Sequence, residues 1–201
     1  MFYKIKIFVF VLLATNILCS LFTFDVFAHT ASITTDDTVV INAAAVGDHA
    51  GISADNLDIT STCPLGYTVS IKGPSDNKLY KDGDNTETSY ISPSAGTTAN
   101  PASILGNNLG TWGYTTSYNA TTSSNFIGLT STEAQITSKA SASASGGDEL
   151  TVYYGASVTD SLLAGGYSLA ESSQGADDNK IIYYLTPNAN CANYVIRYND
   201  N

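Results

Sequence analysis

Histidine is almost missing from this chain of 201 residues, which has only His29 and His49. A serine hydrolase needs a histidine base beside its nucleophile. No Gly-x-Ser-x-Gly elbow is present, and both histidines are expected on surface loops. The Cys/His spacing of a zinc site is absent as well. Positive charge is scarce: 8 Lys and Arg stand against 18 Asp and Glu, a net charge of −10. Nucleic acids and anionic membranes need clustered Lys and Arg, so this balance argues against both as partners. Gly106, Gly110 and Gly113 are followed by neither a lysine nor a helix start, which argues against a phosphate-cradling loop. Long helical periodicity is lacking too, and residues 103–109 and 161–164 allow one helical turn each. Acids are plentiful enough for a glycosidase-type carboxylate pair, yet nothing selects one. No catalytic residue and no cofactor is assigned.

What is present begins with a leader. Lys4 and Lys6 precede a largely apolar run over residues 7–22, and Val26-Phe27-Ala28 places small residues at −3 and −1 of a cleavage site before His29. The rival reading is an uncleaved anchor, but the run is short for a span and Thr15, Asn16 and Ser20 interrupt it. Cys19 follows Leu18, where a lipoprotein signal carries a small residue. The expectation is a signal peptide over 1–28, a single domain over 29–201, and an extracellular or cell-surface location.

Removal of the leader takes six of the seven Phe and leaves 17 acidic and 6 basic groups. Ile, Leu, Val and Phe then make up fewer than one residue in five, a composition that borders on disorder. Twelve tyrosines and Trp112 remain, and each packed ring buries a large apolar area. A folded domain with a lean core is expected. Cys63 and Cys191 are the surviving cysteines, and in an exported protein an even pair most simply forms one disulfide. It closes a loop of 129 residues, for which the chain-entropy model allows about 5 kcal/mol as an upper figure.

Short alternating segments separated by turn residues run through the domain. Residues 57–60 alternate, and 67–72 place Tyr67, Val69 and Ile71 on one face. Leu150, Val152 and Tyr154 share a face of a third strand, and Tyr194, Ile196 and Tyr198 line another. Residues 181–185 are apolar on both faces, which suits a central strand. Weaker candidates are 38–42, 111–115, 125–130 and 134–138. Gly, Pro, Asn and Asp clusters at 73–77, 82–85, 100–101, 146–147, 165–166 and 177–179 mark the turns, and the Ala/Ser run over 139–147 reads as an exposed loop. The fold class expected is all-β, a single antiparallel β-sandwich of Greek-key or jelly-roll type.

For metal chemistry the best constellation is Asp82-Gly83-Asp84-Asn85-Thr86-Glu87, with Asp76 upstream. Alternating oxygen ligands in a loop suit calcium, although the EF-hand positions are not met, and ordinary acidic turns give the same pattern. No metal ligand is assigned. The tyrosines are expected mainly in the core, with an exposed stacking platform as the alternative. Asn119-Ala120-Thr121 is a glycosylation sequon.

Five blocks run in order through residues 57–187. They are Gly66-Tyr67-Thr68-Val69-Ser70-Ile71, Thr111-Trp112-Gly113-Tyr114, Val152-Tyr153-Tyr154-Gly155-Ala156-Ser157-Val158, Leu163-Ala164-Gly165-Gly166-Tyr167-Ser168 and the strand at 181–186. In this order the chain resembles exported bacterial cell-surface β-sandwich proteins and is distantly similar to WxL-type surface domains, with Trp112-Gly113-Tyr114 where the WxL tripeptide would stand. The resemblance implies surface display and adhesion without catalysis. The expected function is a non-enzymatic surface protein, acting in adhesion or as a fimbrial or wall-associated subunit. Its partner would be an envelope component, a surface protein or a glycan. The alternatives are a secreted carbohydrate-binding module, assisted by calcium at Asp82, Asp84 and Glu87, and a secreted hydrolase with carboxylate chemistry.

Overall fold

The computed structural model describes residues 29–35, 38–43, 49–105, 109–119, 125–169, 180–188, 191 and 196–199. The expected leader and its cleavage point at Ala28 lie outside these, as do Tyr194 and the Asp177-Asp178 turn. Among the described residues every regular element is a strand. In chain order these are β1 (Ala31–Thr34), β2 (Ala50–Ser61), β3 (Tyr67–Lys72), β4 (Leu79–Lys81), β5 (Tyr90–Pro93), β6 (Ala102–Ser103) and β7 (Thr111–Thr115). They continue with β8 (Asn125–Phe126), β9 (Ala134–Lys139), β10 (Asp148–Ser157), β11 (Tyr167–Leu169), β12 (Ile182–Pro187) and β13 (Ile196–Asn199).

Seven strands form one sheet in the order β1-β2-β10-β7-β5-β4-β11, four form a second in the order β13-β12-β3-β9, and β6 pairs with β8. All pairings are antiparallel except β5 with β7. The seven-stranded sheet curls into a half-barrel, and its edge strand β1 lies beside β12 and β13.

Period-2 patterning explains the core. Along β2 Asp55, Leu57, Ile59 and Ser61 are buried while Asn56, Asp58 and Thr60 are exposed. The register sets Leu150 opposite Leu57 and Val152 opposite Asp55, so the inward residues of β10 share that face. On the other sheet Tyr67, Val69 and Ile71 pair with Pro187, Leu185 and Tyr183. Side chains from both sheets make one core, where each fully buried Leu or Ile contributes about 1.5–3 kcal/mol relative to exposure. β12 lies between β13 and β3, and Ile182 and Tyr184 on its other face are buried as well. Its uninterrupted apolar run is what an interior strand requires.

A second, smaller core sits on the outer face of the seven-stranded sheet. Gly113 of β7 stands opposite Gly155 of β10, and the bare backbone admits the fully buried side chains of Phe126 and Ile104. A Cβ on Gly155 would lie 2.6 Å from the tip of the Phe126 ring and 2.8 Å from Ile104 Cδ1.

Residues 38–42 depart from the strand expected there. Val39 and Ile41 pack against the core and Val40 is 63% exposed. The alternation is therefore real, but no neighbouring strand supplies the ladder. Of the possible helical turn over 103–109, residues 106–108 lie outside the described ones; Ser103 lies in β6 and its Oγ accepts from the Leu105 amide. Leu162 closes a turn onto the Thr159 carbonyl instead of starting a helix.

Candidate ligand-binding site

The curl of the seven-stranded sheet leaves part of its inner face to coil segments, and a cavity of about 350 Å³ lies there. Trp112 of β7 and Tyr154 of β10 form the floor, both almost wholly buried. Leu79, Tyr167 and Leu169, from the neighbouring strands β4 and β11, make one wall. Thr38, Val39 and Ile41 line the cavity too, as do Lys180 and Ile181 just ahead of β12. The lining is mostly aromatic and aliphatic, as small-molecule sites generally are.

The polar atoms of the floor are committed inside the protein. The Trp112 Nε1–H donates to the Asn77 carbonyl at 2.7 Å. The Tyr154 and Tyr183 hydroxyl oxygens are 2.6 Å apart, and Tyr183 donates to Asp55 Oδ2 at 2.8 Å. Each phenol has one proton, so with Tyr183 donating to the carboxylate, Tyr154 donates to Tyr183. Burial, reinforced by the neighbouring Tyr154 and Asp55, pushes the Tyr183 hydroxyl well above its ordinary value and keeps that proton in place.

At the opposite end of β10, Asp148 ties the two sheets together. Tyr67 of β3 donates to its Oδ2 at 2.6 Å, and Lys139 of β9 reaches both carboxylate oxygens at 2.8 Å. Hydrogen bonds from Lys139 and then Tyr67 hold the Asp148 carboxyl down at about 2. Burial, with Asp148 beside it, raises the Tyr67 hydroxyl. Cys63 and Cys191 form a disulfide at this same end, their Cα atoms 5.4 Å apart. Asn188 latches the corner: its backbone amide donates to the Gly66 carbonyl at 2.8 Å and its side chain to the Leu65 carbonyl at 2.7 Å. Gly66 adopts φ +88° there, a left-handed conformation that glycine takes at no steric cost.

The acidic loop follows β4, and its carboxylates serve the turn. Lys81 Nζ bonds Asp82 Oδ2 at 2.7 Å, which raises the Lys81 ammonium. Asp84 Oδ1 accepts from the Thr86 hydroxyl at 2.7 Å and amide at 2.9 Å, which lowers the Asp84 carboxyl. Asp76 accepts from the Tyr80 hydroxyl and the Lys78 amide. Asp82, Asp84 and Glu87 are not brought together as a ligand set, and among the described residues no three His, Cys, Asp or Glu converge on a metal-sized space. His29 meets the Thr62 carbonyl at the edge of β1, and His49 Nδ1 lies 3.8 Å from Asp160 Oδ1.

Tyr67, Tyr80, Tyr114, Tyr154, Tyr183 and Tyr184 are core residues, the role the sequence expects for most of the rings. Tyr90 is 39% exposed, but Lys78 Nζ sits 4.4 Å from its ring centroid. Sequence reasoning missed Asp55 as a buried acid, although extending the alternation back from Leu57 places it inward. Lys180 carried no local signal, since only the fold brings it beside Trp112. Comparison with known proteins finds no matching family model, no matching curated protein and no matching solved structure.

Proposed function

We propose that this chain is an exported, non-enzymatic β-sandwich protein of the cell surface, acting in adhesion or as a subunit of a surface structure. The observation that carries the reading is the Cys63–Cys191 disulfide, which joins the end of β2 to the chain beyond β12. Such a bond forms and persists in oxidising compartments, and the apolar leader over 1–28 supplies a route there. The sandwich description rests on the core that both sheets share. The non-enzymatic reading rests on how the acids are used. Asp55 and Asp148 accept hydrogen bonds that tie the core and the two sheets, and Asp76, Asp82 and Asp84 accept bonds from near neighbours in the 76–87 segment. The resemblance to WxL-type surface domains points the same way.

A glycan ligand is the second reading, and the observation that favours it is the Tyr118–Tyr153 pair. These half-buried rings are 5.2 Å apart, and Tyr153 lies on the outer face of the seven-stranded sheet. Fractionation of native cells with intact-mass measurement tests the proposal. Chain cleaved after Ala28, lighter by two hydrogens at the cysteines and bound to the envelope, is the expected result. Recovery only as a monomer in the medium overturns the surface-subunit reading, and a glycan array with and without calcium then decides the second.

A further inference from the structure

We infer that the cavity on the Trp112–Tyr154 floor binds a small amphipathic carboxylate, its apolar body against the floor and its carboxylate at Lys180. This goes beyond the proposed surface role and does not depend on it. The cavity, at about 350 Å³, falls within the size range of small-ligand sites. Because the Trp112 N–H and the Tyr154 hydroxyl are already bonded within the protein, a polar group pressed onto that floor would lose its water without replacement. The floor therefore selects an aliphatic or aromatic body, and any polar group belongs at the rim.

The rim supplies the Thr38 and Ser168 hydroxyls and one ammonium, Lys180. Lys81 and Lys139 are held by Asp82 and Asp148, and Lys78 covers Tyr90. No acid among the described residues pairs with Lys180. A lysine is a compact point charge, and one of them beside two hydroxyls suits a monoanionic carboxylate. A phosphate dianion would have a single cation to offset it in a chain of net charge −10.

Trp112 is the chain's one tryptophan, so its fluorescence reports occupancy of the floor. The purified protein, disulfide intact, is titrated with sodium dodecanoate, dodecanol and dodecyltrimethylammonium, each below micelle formation. Dodecanoate is expected to give a saturable one-to-one change and to bind more tightly than the other two. K180Q is expected to weaken dodecanoate about tenfold, equivalent to about 1.4 kcal/mol, while leaving dodecanol unchanged. T38F, at an exposed rim position, narrows the mouth and weakens dodecanoate and dodecanol together; near-UV circular dichroism checks that both variants keep the fold. No saturable response to dodecanoate, equal binding of all three amphiphiles, or an unaltered dodecanoate affinity in K180Q would each overturn the assignment.

Discussion

Tyr183 carries the hydroxyl that makes a fully buried carboxylate tolerable. It donates to Asp55 and accepts from Tyr154, so its removal takes a donor from one and an acceptor from the other inside a low-dielectric core. Y183F, nearly isosteric, is expected to cost about 1–3 kcal/mol through desolvation alone, read as a lower urea midpoint with an unchanged m-value. Combined with Y154F the losses should fall short of additive, because both variants break the same chain. Asp148 gives a prediction in pH. Its folded carboxyl is held at about 2 against an ordinary value of 3.8, so protons bind the unfolded chain more readily. Its stabilisation is complete above pH 4, declines as pH falls from about 4 toward 2, and is gone below that. Lys139 and Asp148 are both partly exposed, so the pair is worth about 1 kcal/mol at most near neutrality. Urea midpoints between pH 6 and pH 2 should therefore fall less steeply in K139M than in the parent chain.

Among the elements, β7, β8 and β10 form a unit that depends on two missing side chains. Phe126 and Ile104 occupy the volume that a Cβ at Gly155 would take, and the Ile127 carbonyl occupies the volume of one at Gly113. G155A is expected to destabilise by about 1–3 kcal/mol through overpacking, and F126A by about 3–5 kcal/mol through the cavity it leaves, both measured by denaturant unfolding. An effect of G155A below about 0.5 kcal/mol would mean that β8 docks more loosely than the contacts imply. This small core was not legible in the sequence. A two-residue strand such as β8 has no periodicity, and glycine inside a strand pattern signals a close approach without saying what approaches. Strands with a clean pattern were legible for the opposite reason, although in β2 (Ala50–Ser61) only 57–60 was legible from its alternation. Residues 67–72 and 111–115 match β3 and β7 end to end, because their apolar residues fall at every second position or run without a break. β1, β4, β5 and β11 are three or four residues each and owe their conformation to the partner strand, which no local pattern encodes. The cavity was equally hidden, since Trp112, Tyr154 and Lys180 come from distant parts of the chain and meet only through the curl of the sheet.

The molecule as a whole has a latched end and an open one. β2, β10 and β12 all run between them: Ser61, Asp148 and Pro187 lie toward the disulfide, and Ala50, Ser157 and Ile182 toward the cavity. At the latched end the disulfide and the Tyr67–Asp148–Lys139 cluster join both sheets and Asn188 fastens the corner that leads into β3, so the strands cannot splay there. The cavity wall at the other end is free of those constraints, which suits an opening that must admit a ligand. Since Cys63 and Cys191 are 128 positions apart, the strands β3 to β12 lie inside one covalent loop while β1, β2 and β13 lie outside it, and its benefit is mostly the entropy it denies the unfolded chain. Breaking it by C63S/C191S, or by reduction, is expected to lower stability by about 2–5 kcal/mol. The m-value should rise, because an open chain exposes more surface on unfolding than a cross-linked one. Equal m-values with and without the bond would mean that the reduced chain keeps residual structure around the latch. The stabilisation would then come from the folded corner at Asn188 and Gly66, and not from the length of the loop.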